Sequence, residues 1–194
     1  PQDIYDKVIV IDAGHGGGAP GAIKQGIMEK DINLAIVKEL KEILDKNDRN
    51  IGVYYTRTED VNPTFEQRAQ LGGKAGANLF ISVHSNSTVD GLMSSYNGTE
   101  VMYDELKSEE GLSSKHLAQI CLEEITASMG SKNNGVTYGN SIYIIRNSEV
   151  PVALIEVGFM TNQQELNKLT SQDYQRKAAQ GIYNAILRAL DEGY

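Results

Sequence analysis

Lys7-Val8-Ile9-Val10-Ile11-Asp12-Ala13-Gly14-His15-Gly16-Gly17 is the stretch on which the architecture turns. Five of its first six residues are apolar or stem-bearing, four of them β-branched in succession, with no helical period. Such a run, closed by glycine, reads as a strand (Lys7–Asp12) buried on both faces, the kind found in parallel sheets. Parallel strands need a crossover, and one follows. A Gly-rich loop from His15 to Gly26 leads to Glu29, where Ile32, Ile36, Leu40 and Ile43 recur at helical spacing to about Asp45.

The same alternation continues outward. Strands are expected at Ile51–Thr56, Leu79–His84, Thr99–Tyr103, Ser141–Ile145 and Val152–Val157. Helices are expected from Pro63, placed in a first turn, to about Gly73, and over Leu112–Ser128, Gln163–Leu169 and Asp173–Leu190. The polar stretch Thr88–Asn97 reads as a loop and Asn133-Asn134-Gly135 as a turn. Strands alternating with helices predict an α/β domain with a largely parallel sheet covered on both faces. At 194 residues the chain is sized for one domain, residues 1–194 with a core over about 7–191.

Composition excludes several classes. The chain is 40% apolar and 23% charged, enough to bury a core, so global disorder is out. A net charge of −8 argues against a partner recognised as a polyanion, whether nucleic acid or an anionic membrane. Cys121 is alone, which rules out an intrachain disulfide and a cysteine zinc finger. No run of 18 apolar residues exists to span a membrane. The sequence starts at Pro1 without an initiator Met or leader, as a processed product or excised domain would.

Chemistry concentrates at one rim. In open α/β sheets, ligands bind beyond the carboxyl ends of the strands. His15 follows the first strand, His84 ends the third and Glu156 lies near the end of the last. Glu29 stands two helical turns before Ile36, on the stripe that faces the sheet, where a carboxylate is costly unless paired or metal-bound. His15, Glu29 and His84 therefore form a His₂Glu set of the kind that holds catalytic zinc, one ion per chain, and Glu156 is the candidate base. Singly, each has a plainer reading: a hydrogen-bonded rim histidine, a first-turn helix acid, a paired buried acid. His116, on the Leu112–Ser128 helix, reads as a surface residue. Gly16-Gly17-Gly18-Ala19-Pro20-Gly21 matches the dinucleotide fingerprint in letters only, because Pro20, Gly21 and Gly26 delay the helix that must open there.

Three segments carry a family resemblance. Ile9-Val10-Ile11-Asp12-Ala13-Gly14-His15-Gly16-Gly17 with Pro20-Gly21-Ala22 and Glu29-Lys30-Asp31-Ile32-Asn33-Leu34-Ala35, then Phe80-Ile81-Ser82-Val83-His84-Ser85-Asn86, then Pro151-Val152-Ala153-Leu154-Ile155-Glu156-Val157-Gly158-Phe159-Met160-Thr161-Asn162, resemble the zinc-dependent N-acetylmuramoyl-L-alanine amidases of the third amidase family. The resemblance runs in order from about Val8 to Leu190. It implies a six-stranded mixed sheet, zinc on His15, Glu29 and His84, and Glu156 as acid/base. It also supplies the substrate: the amide between the lactyl group of N-acetylmuramic acid and the first L-alanine of the peptidoglycan stem.

Further expectations follow from it. Asn86 and Arg146 are candidate substrate contacts, Arg146 as the residue ending a strand. The chain is expected to be a monomer acting outside the cytoplasm, in the wall or secreted, with wall-targeting carried elsewhere; a phage lysin fits as well. A zinc peptidase cutting within the stem and a non-catalytic wall-binding module are the alternatives. Some members of the family carry a helix, inserted after the second histidine motif, that plugs the zinc site. Here the matching interval, Asp104–Gly111, is eight residues, about 12 Å of helix, too short for such a plug. An open site is expected.

Overall fold

The computed structural model describes residues 4–105 and 112–194. Strand β1 (Lys7–Ala13) leads through a small ribbon, β2 (Ile23–Lys24) and β3 (Ile27–Met28), into helix α1 (Glu29–Asp45). Then come β4 (Ile51–Tyr55), α2 (Phe65–Ala75), β5 (Leu79–Asn86), β6 (Thr99–Tyr103) and α3 (Ser114–Met129). The chain continues through β7 (Asn133–Tyr138), α4 (Tyr143–Arg146), β8 (Val152–Phe159), α5 (Gln163–Leu169) and α6 (Gln172–Asp191).

Six strands form one sheet in the order β4-β1-β5-β8-β6-β7. The first four run parallel; β6 pairs antiparallel with β8, and β7 parallel with β6. The sheet is thus mostly parallel and mixed, with helices on both faces. Side chains alternate across it. Ile9, Ile11 and Ala13 enter the larger core, with Ile36 and Leu40 of α1 and residues of α3 and α6. Val8, Val10, Phe80 and Leu154 enter a smaller core with Ala75 of α2 and Ile144 and Ile145 of α4. His84 and Glu156 continue the period of Phe80 and Leu154, so they emerge at the rim on this thinly covered face.

Four segments depart from the sequence reading. Asn133-Asn134-Gly135 opens β7 as an edge strand instead of turning. Its pairing with β6 slips between Thr99 and Val101, and Gly135, at φ +87°, takes up the extra residue of that bulge. Ser141–Ile145 is not a strand: Ile144 and Ile145 are both buried against one face of the sheet, which consecutive residues of a strand cannot be, and the segment coils into α4. Arg146 therefore ends a short helix. Pro63 precedes α2, whose N-cap is Thr64 in a capping box with Gln67. The β2–β3 ribbon, turned by Gln25 and Gly26 at φ +51° and +77°, lies inside the segment read as loop.

Candidate metal centre

His15 leaves β1 through Gly14, whose amide bonds Val83 O of β5 at 3.0 Å. The histidine itself sits at φ +59°, a conformation non-glycine residues seldom keep without a constraint around them. Glu29 is the first residue of α1, a helix with no side-chain cap at Met28. The loop caps it instead: Glu29 N bonds Ala22 O at 2.9 Å and Lys30 N bonds Pro20 O at 3.0 Å. The Ala22 amide returns a bond to Glu29 Oε2 at 3.0 Å. The helix start and the histidine loop are one unit.

The three side chains converge. Glu29 Oε1 lies 3.2 Å from His15 Nε2 and 3.0 Å from His84 Nδ1. One donor atom from each residue falls within 4.8 Å of the others. The imidazoles meet edge to face, centroids 5.1 Å apart. Packing allows little drift: a Cβ on Gly14 would stand 2.3 Å from His84 Cε1, and one on Gly21, at φ +69°, would stand 2.4 Å from Glu29 Oε2. Burial alone would raise the Glu29 carboxyl, but its bonds to His15 and His84 hold it well below the usual range, so it stays ionised. Two imidazoles and a buried carboxylate aimed at one point suit a divalent ion of the zinc type.

Glu156 stands beside this set. It pairs in register with His84 on β5 and with Glu100 on β6, giving a row of three side chains on one face. Its Oε2 is enclosed and has no hydrogen-bond partner. Burial, then the charges of Glu29 and Glu100, raise its pKa well above the ordinary carboxyl value. A carboxyl so raised holds a proton more readily than an ordinary one, which suits it to proton transfer.

Behind the ligands lies a buried polar layer that sequence reasoning missed. Asp12 accepts from Arg68 Nη1 at 2.7 Å, Ser82 Oγ at 2.6 Å and Thr56 Oγ1 at 2.6 Å. Arg68 also donates to Ala13 O and His15 O, and Arg57 to Ala13 O and Gly14 O. Asn33 bonds Gly14 O at 3.1 Å and accepts from Ser85 Oγ at 3.0 Å. Asn33 was findable, being a polar residue one turn after Glu29 on the same apolar stripe. Glu100 and the arginines gave no such periodic signal.

The remaining candidates sit apart from the ligand atoms. Asn86 Nδ2 bonds Glu100 at 2.9 Å and its Oδ1 takes the Ser87 amide, so its side chain is engaged in holding the rim. Arg146 is exposed, donates to Asn140 O and lies over the Tyr143 ring. His116 pairs with Glu192 at 2.6 Å on the surface. Two cavities flank the row. One, of about 330 Å³, is lined by His15, His84, Phe65, Ile142 and Tyr143. The other, of about 850 Å³, is lined by Asn86, Glu100, Met102, Tyr96 and Phe159.

Comparison with known proteins places this geometry. A family model described as N-acetylmuramoyl-L-alanine amidase matches residues 9–188. The uncharacterized protein YqiI of Bacillus subtilis is 36% identical over 191 residues, 98% of this chain and 88% of YqiI. The N-acetylmuramoyl-L-alanine amidase LytC of the same organism is 33% identical over 181 residues, 93% of this chain but only 35% of LytC. The catalytic domain of CwlV, an N-acetylmuramoyl-L-alanine amidase from Bacillus (Paenibacillus) polymyxa var. colistinus, superposes with a TM-score of 0.86 at 35% identity, covering 95% of this chain and 98% of that one. Matched by the family model over residues 9–188 and by a solved catalytic domain over 95% of its length, the chain belongs to the N-acetylmuramoyl-L-alanine amidase family.

Proposed function

We propose that this chain is the catalytic domain of a zinc-dependent amidase that hydrolyses the bond between N-acetylmuramic acid and L-alanine in peptidoglycan. The observation that carries the reading is the enclosed, unpartnered Oε2 of Glu156 beside three converging donors, His15, Glu29 and His84. Bound zinc supplies polarisation of the scissile carbonyl and a lowered pKa for water. His15, Glu29 and His84 would hold it, and the Glu29 carboxylate is itself oriented by Asn33 Nδ2 and by the Ser85 and Ala22 amides.

Glu156 takes the proton from the attacking water as its oxygen bonds the lactyl carbonyl carbon. As the carbon–nitrogen bond breaks, Glu156 returns that proton to the departing L-alanine nitrogen. The two cavities, one lined by His84 and the other by Glu100 and Asn86, give the glycan and peptide arms of the substrate separate places to lie, and Arg146 reaches the first only through the Tyr143 ring it lies over. The domain works as a monomer outside the cytoplasm, targeted by segments beyond residues 1–194. Among the described residues, no helix is long and apolar enough to cross a membrane.

Digestion of purified sacculi followed by mass spectrometry tests this. Free stem peptides beginning at L-alanine, beside glycan keeping its lactyl group, are expected. Fragments cut between stem residues would replace the amidase reading with a peptidase, and no release at all would leave a binding module.

A further inference from the structure

The Arg57 side chain is 3% exposed, yet its hydrogen bonds go to carbonyl oxygens alone. Nε reaches Ala13 O at 2.9 Å and Nη1 reaches Glu59 O at 3.1 Å. Nη2 reaches both Gly14 O at 2.9 Å and Lys30 O at 3.0 Å. Its neighbour Arg68, equally buried, is neutralised by Asp12 at 2.7 Å. A desolvated cation that hydrogen-bonds only carbonyls, with Asp12, Asp60 and Asp31 acting on it through space, is a costly way to staple backbone, and the two carbonyls that share Nη2 are informative. Gly14 immediately precedes His15, and Lys30 immediately follows Glu29.

We propose that Arg57 is the positioning residue of the metal centre: it fixes the spacing of His15 and Glu29 before any ion arrives, and thereby sets metal affinity. The inference rests on the metal reading of those residues. It does not depend on which bond is cut. The need for such a brace lies in the loop. His15 is followed by Gly16 and Gly17, at φ +134° and +50°, whose own bonds to Ala19, Asp60 and Lys30 Nζ hold the loop beyond the histidine but not its approach from β1. The bonds from Glu29 and Lys30 to Ala22 and Pro20 tie α1 only to the far end of that loop. Asn33 Nδ2 and Lys30 Nζ reach the near end, at Gly14 O and Gly17 O, through single flexible side-chain bonds, whereas Arg57 joins α1 to it backbone to backbone through one planar group. The loop also packs on it, since a Cβ on Gly16 would stand 3.0 Å from Arg57 Nε. Lysine keeps the charge but has no planar fork with which to bridge the two segments.

The test compares the parent with Arg57→Lys and with Asn78→Ala. Asn78 Oδ1 accepts from Val8 N at the opposite end of β1, so its loss weakens the same strand without touching either ligand segment. Zinc affinity is measured by competition with a chromophoric chelator, alongside the visible spectrum of the cobalt(II)-loaded proteins and thermal melts without metal. Arg57→Lys should bind zinc roughly 10- to 100-fold more weakly, the range typical when a residue supporting a ligand is lost. Its cobalt bands should shift, while Asn78→Ala keeps parental affinity and bands at a comparable melting temperature. Parental zinc affinity in Arg57→Lys would overturn the inference. An equal loss in Asn78→Ala would overturn it too, by reducing Arg57 to general stability. A parent that binds no zinc would remove it together with the metal reading, whereas zinc binding without amide cleavage would remove only the proposed reaction.

Discussion

His84 and Glu156 face each other in register across two adjacent parallel strands, β5 and β8. The residue proposed to hold the metal and the residue proposed to move the proton are thus spaced by the sheet's own ladder. Strand separation is among the least deformable distances in a protein. A proton carrier placed by a ladder needs no loop closure to reach its station. The His15 loop and the α1 terminus are the parts that must be braced, and the buried polar layer lies behind them.

Glu156→Gln should keep the fold and the metal while turnover on peptidoglycan falls by roughly 10² to 10⁴, the usual worth of general acid/base catalysis. It should also stabilise the metal-free protein at neutral pH. A carboxyl whose folded pKa is raised contributes full stability below its ordinary value and loses it as pH rises through the raised one. Glutamine never ionises, so it escapes that loss. A gain of about 1–2 kcal/mol, roughly 2–8 °C in a domain of this size, is expected at pH 7 and should vanish near pH 4. Equal melting temperatures at pH 7, or near-parental turnover, would make Glu156 a structural acid.

One zinc ion per chain should be found by elemental analysis, removed by chelator with loss of activity, and restored on adding zinc. His84→Ala should lose both metal and activity. Gly21→Ala should do nearly the same without altering any ligand. Its methyl would crowd Glu29 Oε2 and the His15 ring, in a backbone conformation that alanine resists. Zinc content at unchanged far-UV circular dichroism is the measurement, and a fully loaded Gly21→Ala would show that the cradle yields.

What could be read beforehand was whatever periodicity expresses. Ile9-Val10-Ile11 announced a doubly buried strand, and Ile32, Ile36 and Leu40 set the phase that turned Glu29 inward; α1 runs over the same Glu29–Asp45 as its apolar period. Edge and short elements escaped. β7 is polar because little covers it, and α4 hides two adjacent isoleucines that imitate a strand. Arg57 and Arg68 escaped for another reason. Apart from the Arg68–Asp12 pair, they bond chiefly backbone carbonyls of distant residues, and carbonyls leave no trace in a sequence. The interval Asp104–Gly111, read as too short for a plug, lies from residue 106 onward outside the described residues.

Asp12 should govern acid tolerance. Burial would raise its carboxyl, but Arg68, Ser82 and Thr56 together hold it below the ordinary value. A depressed carboxylate contributes stability above its unfolded pKa and loses it as pH falls through the folded one. Asp12→Asn leaves Arg68 buried without a counter-charge, which costs about 3–5 kcal/mol. Urea melts at pH 7 should show that loss, and the gap to the parent should narrow as both are taken below pH 3. A constant gap across the range would mean that Asp12 acts through shape and not charge.

Activity without an activator is the last expectation. His15 keeps 31% of its side chain, and His84 16%, open to solvent. Both line a cavity whose walls, Phe65 and Tyr143, are themselves partly exposed. A substrate arm can therefore enter along the thinly covered face, where among the described residues only α2 and α4 lie on the sheet, without displacing either of them. Purified, zinc-loaded protein mixed with bare sacculi should release stem peptides from the first minutes, with no lag and no added protein. Removing residues 106–111 in favour of a short glycine linker should leave that rate within about twofold, the outcome an open site requires. Protein that stays inert until a second component is supplied, or that gains tenfold or more on losing 106–111, would show that a built-in restraint covers the metal centre after all.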